Sequence, residues 1–498
     1  MNKRPTTKEE LLALFDMRRE EILHTEDTLT VSGTAYYVSL DGDDANDGKT
    51  EKTAWRTLQR VTDAPLLAGD GVFFRRGDLF RGTLLAREGV TYAAFGKGEK
   101  PRIYTGERDL ADPLLWERVC ASPAIWRLTL PITDCGTLVF DGGERHARKL
   151  IPSYRDGCFV CRKEEDKPFL MENEMTSNLD IFHHYDAHLT EDPSRGESFP
   201  VPKMFVGCVG TLYLRCDEGN PGEVFSSIEA VPWAVAITVR DRANVHVDNL
   251  CIRYAMFGVA AAGESVRDLT VTNCEIGWIG GNIQSYLGDD PNYPEGGRGS
   301  VTRYGNGIEV YGGCDGFAVE NCYIYECYDA GATHQVSTFG RHFEQKNILY
   351  RNNLIDSCVY GIEYFLEKNG GDTTSFIENC LIEGNLICRT GYGWGQQRHN
   401  KHTPAAIKGW SYENTARRFE VRDNVFDRSA YRLLHLVARE EESCPFLLGN
   451  TYAQDRGATL GQYGANREAE PPVLPFDEAA EGAIRTVWGD REANILSF

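Results

Sequence analysis

The sequence predicts an all-β protein built as a parallel β-helix, with an inserted antiparallel β-rich domain and a short N-terminal helix. Three observations lead there. First, one unit recurs after Val235 as VHVDNLCI, LTVTNCEI, FAVENCYI, LYRNNLID, LIEGNLIC, VRDNVFDR and LLGNTYAQ. Its Asn positions are 249, 273, 321, 353, 385, 424 and 450, at intervals of 24, 48, 32, 32, 39 and 26. An interval near 24 is one turn of a three-sided coil, and the longer ones are coils that carry loops. The interval of 48 reads either as a further coil or as a large insertion, because 282–303 is loop-like. Second, 50 Gly, 23 Tyr and 23 Phe in 498 residues favour turns and strands over helices. Third, Gly307-Ile308-Glu309 returns as Gly361-Ile362-Glu363, each beside an Asn-rich strand.

The elements follow in chain order. Residues 1–34 hold a helix with Leu11, Leu12, Phe15 and Ile22 on one side. The stretch has neither an apolar run nor a small-residue cleavage site, so it does not read as a signal peptide. Residues 35–114 begin the solenoid with short alternating strands around the acidic turn Asp41 to Gly48. Ala45 occupies a ligand position there, so the turn fails the calcium-loop spacing and reads as solvated. Residues 115–232 carry short alternating strands, among them Ile125-Trp126-Arg127-Leu128 and Thr211-Leu212-Tyr213-Leu214, separated by long polar loops. They read as an inserted β-rich accessory domain. Residues 233–464 form the main solenoid, and 465–498 a C-terminal cap or tail. Stacking at about 4.8 Å lets each coil hydrogen-bond to the next, and Asn suits the corners because it tolerates left-handed angles and ladders its amides.

Bulk properties exclude several partners. A net charge of -21 without a basic block argues against nucleic acid and anionic membrane. No apolar run reaches the roughly 18 residues of a membrane span. The 15 cysteines are odd in number, and Cys274, Cys322 and Cys380 each follow an Asn. They read as core filler in a reducing compartment, so a cytoplasmic location is expected. Cys158 and Cys161 form a CxxC with no second pair, too few ligands for zinc. Oligomeric state is not legible.

Along a β-strand, alternate side chains face the core. With Ile308, Ala332, Ile362, Ile407 and Leu434 pointing inward, Glu309, Thr333, Glu363, Lys408 and His435 fall in one outward column. Two Glu, a Lys and a His make this column richer in proton-transfer groups than a plain solvated face. Asp329 lies just before the Thr333 strand, with His334, Gln335 and Glu367 near the strand ends and Arg303 upstream. The loop 391–404 adds Tyr392, Trp394, Arg398, His399 and His402, and Trp410 follows Lys408. Aromatics stack on sugar rings, while Gln, Arg and His bind hydroxyls. Glycoside hydrolysis needs one protonated and one ionised carboxyl. The expected catalytic set is therefore Asp329 with Glu363, supported by Glu309. His334, Gln335, Arg303, Lys408, Trp410, Trp394, His435 and Glu367 are the expected substrate contacts.

Several motifs carry a family resemblance. YYVSLDGDDANDG, AWRTLQRV and LLAGDGVFFRRGDLFRG resemble the N-terminal segments of right-handed parallel β-helix carbohydrate enzymes, the pectate-lyase-like superfamily. RYGNGIEV, YDAGATHQ and VYGIEYF resemble a set in its glycoside hydrolase branches, over roughly 235–464. IWRL with GTLYLRCDEGNPGE resembles the accessory β-domain of glycosidases such as the family 120 β-xylosidases. The resemblance implies that Glu309, Asp329, His334 and Glu363 line a sugar site. The expected activity is that of a glycoside hydrolase that needs no cofactor, and the expected cytoplasmic location points to short oligosaccharides or glycosides rather than polymers. Two alternatives stay open: a polyuronate lyase or epimerase using Lys408, His435 or Arg303, with Ca²⁺ possible, and a non-catalytic carbohydrate-binding solenoid.

Overall fold

The computed structural model describes residues 4–151, 153–155, 158–160, 170–184, 209–286, 301–398, 403–410, 413–466 and 469–498. The repeat folds as a right-handed parallel β-helix whose strands pair in parallel with those of the coils on either side. Each coil contributes three strands. Ala330–Ser337, Glu344–Arg351 and Leu354–Asp356 make one coil, and Tyr360–Glu367, Phe376–Glu383 and Leu386–Thr390 the next. First pairs with first, second with second and third with third. Ile308, Ala332, Ile362, Ile407 and Leu434 all point into the bore and are fully buried. One apolar core thus runs the length of the stack. The 48-residue interval is a single coil, because Glu275–Ile279 pairs directly with Tyr323–Cys327. The extra length is an insertion that includes the antiparallel hairpin Asn282–Tyr286 and Val301–Tyr304.

The Asn positions divide into two jobs. Asn249, Asn273 and Asn321 turn the chain with φ of 59°, 52° and 51°. In later coils the left-handed corner falls one residue earlier, at Asn352, Gly384, Asp423 and Gly449. That frees Asn353, Asn385, Asn424 and Asn450 to form a buried ladder. Asn353 donates to Asn385 at 2.9 Å, Asn385 to Asn424 at 2.9 Å, and Asn424 to Asn450 at 3.0 Å. Asn450 donates to the Asp490 carboxylate, which ends the series.

Between Arg102–Tyr104 and Val235–Arg240 the solenoid is interrupted, yet its wall is continuous, since Cys251–Ala255 pairs with Arg102–Tyr104. The strands from Trp116 to Ala230 pair among themselves, mostly antiparallel, around Trp116, Leu128, Phe140, Ile181, Leu212 and Leu214. The N-terminal helix α1, Lys8–Leu23, lies along the flank made by third strands. Its Leu11, Phe15 and Ile22 pack against Leu354, Leu386 and Val425. Leu12 does not join them and is 39 % exposed, because its position faces away from the buried stripe. At the other end, Asn494–Ser497 pairs with Thr451–Gln454 and Trp488 covers the core. The Asp41 to Gly48 turn uses its acids internally. Asp44 accepts from the Thr57 hydroxyl and the Arg56 amide, and Asp47 from the Lys49 amide and the Thr53 hydroxyl.

Candidate active site

On the first face of the solenoid, strand register places Glu309, Thr333, Glu363, Lys408 and His435 in one row across five successive strands. Gln462 extends the row by one coil. These side chains point away from the bore but not into bulk water. Exposure runs from 0 % at Thr333 to 9 % at Glu309. Segments passing over the row enclose it. Arg398, which follows the turn Trp394–Gln397, reaches the Asp329 carboxylate, and the Trp410 indole N–H donates to Glu363. The outward column is therefore a buried cleft rather than a solvated face.

Three acids share the cleft, and water exclusion sets their chemistry. Asn306 and Gln335 donate amide hydrogens to one oxygen of Glu309. Burial still pushes Glu309 up to about 7; the two amides oppose the rise and the charge of Asp329 adds to it. Glu363 is raised well above the carboxylate range, first by burial and next by Asp329. Burial raises Asp329 too, against the pull of Arg398. Where two buried carboxyls face each other, the proton settles on the one without the cation. The guanidinium holds negative charge on Asp329, so Glu363 keeps the proton. Arg398 is itself enclosed by Tyr304 and Tyr360, whose rings lie 5.3 and 5.5 Å from the guanidinium carbon.

The far half of the row has the opposite character. The Lys408 ammonium lies 4.2 Å above the Trp410 ring. Burial, then Arg432, lowers it to about 7. Burial, with Lys408 and Arg432 beside it, takes His435 down to about 3, so its imidazole is neutral. Arg432 bonds the Gln462 side-chain oxygen and the Tyr431 hydroxyl.

The structure separates the other expected contacts. Gln335 joins the site through Glu309. His334 points the opposite way, into the bore, because it alternates with Thr333. There it bonds the Tyr350 hydroxyl at 2.8 Å and lies between the Tyr350 and Tyr364 rings. Arg303 is buried as a pin, donating to the carbonyls of Gly281 and Gly136 over the Tyr328 ring. Trp394 is fully buried, bonds the Glu326 carbonyl and packs on Tyr328, so neither face is open to a sugar. Glu367 is exposed at the strand end, four residues beyond Glu363, and bonds Ser337. His399 and His402 lie outside the described residues.

Asn306, Arg432 and Gln462 were not among the expected contacts. Gln462 is found by continuing the column one coil past His435. Arg432 breaks the in-out alternation at its strand start and leaves no such trace.

No family model matches the chain, and no curated protein does. Solved structures give broad, loose likenesses. The structure of XylC in complex with xylose is 12 % identical, with 93 % of this chain and 83 % of that one covered and a TM-score of 0.41. A structure named as a glycoside hydrolase is 11 % identical over 86 % and 94 % of the two chains, at 0.42. The lacto-N-biosidase of glycoside hydrolase family 136 from Eubacterium ramulus is 14 % identical over 85 % of this chain and 60 % of that one, at 0.38. All three are named as carbohydrate-binding or carbohydrate-cleaving proteins. The fold assignment itself rests on the strand pairing described above.

Proposed function

We propose that this protein is a glycoside hydrolase acting on short oligosaccharides or glycosides, with Glu363 as general acid and Asp329 as its ionised partner. The observation that carries the reading is the placement of Glu309, Asp329 and Glu363 on three consecutive coils inside one dry cleft. A carboxyl that stays protonated at neutral pH delivers its proton to the glycosidic oxygen as the bond breaks. A carboxylate held charged by Arg398 stabilises the positive charge that grows on the anomeric carbon. The Thr333 hydroxyl sits in the row between Glu309 and Glu363 and has no hydrogen-bond partner among the described residues. It is available to a sugar hydroxyl. Asp329 and Glu363 stand on adjacent coils, with Asp329 four residues before Thr333, the residue that pairs with Glu363.

One observation favours a second reading. Lys408, with its amine near 7, is one strand from Glu363 and has the character of a base that abstracts a proton beside a carboxylate. A lyase of uronate sugars would use it so. Incubation with aryl glycosides and with polyuronates, with and without chelator, separates the two. Aryl alcohol release with no ultraviolet rise from unsaturated sugar is expected. An ultraviolet rise sensitive to chelator supports the lyase instead. Silence in both assays with sugar binding by calorimetry supports a binding solenoid. Near-full activity of Asp329→Asn or Glu363→Gln removes the assigned pair.

A further inference from the structure

Lys408 and Arg432 are buried cations whose contacts among the described residues are all neutral. Lys408 is 4 % exposed, and its ammonium meets the Trp410 ring, with no carboxylate within ion-pairing distance among the described residues. Arg432 is 7 % exposed. It bonds the Gln462 amide oxygen and the Tyr431 hydroxyl, and it lies over the Tyr431 ring at 4.4 Å. Its Nε is buried with no partner among the described residues. Elsewhere in the fold, Arg76 holds Asp27, Lys149 holds Asp134 and Arg398 holds Asp329, while the buried Arg303 and Lys100 are met by carbonyl and amide oxygens. Glu470 is exposed and bonded to Gln462, and it and Glu363 favour the charged form of Lys408 from beyond ion-pairing distance. A buried charge without a partner is costly, and a cleft that keeps two of them side by side is built to receive an anion.

We propose that the Lys408–Arg432 end of the cleft binds an oxyanion carried by the sugar, a ring carboxylate or a sulfate ester, so that the substrate is an acidic glycoside. The proposal rests on the hydrolase reading, which places the cleaved bond at Glu363. Lys408 is one coil from Glu363, and Arg432 sits on the next strand, opposite Ala405 and three residues before His435, near enough to lower the Lys408 amine. The step from Glu363 to Lys408 is one strand spacing, about 4.8 Å, roughly the width of one sugar ring. The carboxylates of Glu309 and Asp329 occupy only the near half, so a single acidic sugar meets acids at its cleaved bond and cations at its substituent. Repulsion applies to a chain of uronates laid along the whole row, not to one acidic ring in this orientation. The neutral imidazole of His435 and the Trp410 indole flank the anion site.

Titration calorimetry tests this with glucose, galactose, glucuronate, galacturonate and the two hexose 6-sulfates, using wild-type protein and Glu363→Gln. Acidic sugars are expected to bind at least tenfold more tightly than their neutral counterparts in both proteins. That preference is expected to fall severalfold in Lys408→Met and in Arg432→Gln, and to shrink at high salt. The tighter of the carboxylate and sulfate arms names the oxyanion. Neutral sugars binding as well as every acidic one to wild-type protein overturn the proposal, whether or not the variants fold. Hydrolysis of neutral aryl glycosides without any acidic preference leaves the hydrolase reading standing and removes this one. An acidic preference that depends on Lys408, without hydrolysis of any glycoside, does the reverse.

Discussion

Replacing Glu309 by Gln tests the dry cleft directly. The amide oxygen of Gln accepts from Asn306 and Gln335 as the carboxylate oxygen does, and the side chain keeps its shape. Only the titratable charge is lost. Glu309 is raised from the ordinary 4.5 to about 7 in the folded protein. Stability linked to a raised group is fully present below its unfolded value and is lost as pH rises through the folded one. Wild-type protein should therefore lose stability between about pH 4.5 and 7 through this residue, and no further above that. At about 1.4 kcal/mol per pH unit, the loss is about 3 kcal/mol. Glu309→Gln has no such loss. Urea unfolding followed by Trp fluorescence at pH 4 and pH 8.5 reads the difference between the two proteins at each pH. The variant should gain about 3 kcal/mol on wild type between those two values. An unchanged difference, or a variant that loses ground at pH 8.5, would mean that Glu309 ionises freely and that water reaches the cleft.

Other perturbations read other parts of the site. Arg398→Met strands Asp329 without its cation, so stability should fall by about 3–5 kcal/mol and kcat by at least about 100-fold. Wild-type turnover in that variant would detach Asp329 from the chemistry. Trp410→Phe removes the N–H that favours ionised Glu363, so the alkaline limb of the kcat profile should move to higher pH; a move to lower pH contradicts the assignment of Glu363 as the acid. Asn385→Ala removes four hydrogen bonds, to Asn353 (two), Tyr350 and Asn424. At about 1 kcal/mol each, unfolding free energy should drop by about 4 kcal/mol, and a drop under about 1 kcal/mol would make the ladder incidental.

The repeat was legible because a solenoid coil contacts only its neighbours, so its period survives in the chain as a period of residue types. The in-out alternation at Ile308 and Glu309, repeated at Ile362 and Glu363, assigns faces correctly for the same reason. Corner geometry was less legible. Asn serves both the left-handed turn and the amide ladder, and the one-residue offset between Asn321 and Asn353 is invisible in a list of Asn positions. His334 was misplaced because its loop neighbours suggested a site, while strand alternation sends it to the bore.

By itself, the sequence determined the solenoid, the row from Glu309 to His435 and the three acids gathered near its start. These follow from local periodicity and from stacking between adjacent coils. Only the tertiary structure decided that the row is buried, that Arg398 holds Asp329 and that Trp410 holds Glu363. It also decided that the far end keeps Lys408 and Arg432 without a carboxylate in ion-pairing reach among the described residues. Those facts depend on segments from distant parts of the chain folding over one face. Burial and charge pairing are set by what lies across space, and no spacing along the chain records them.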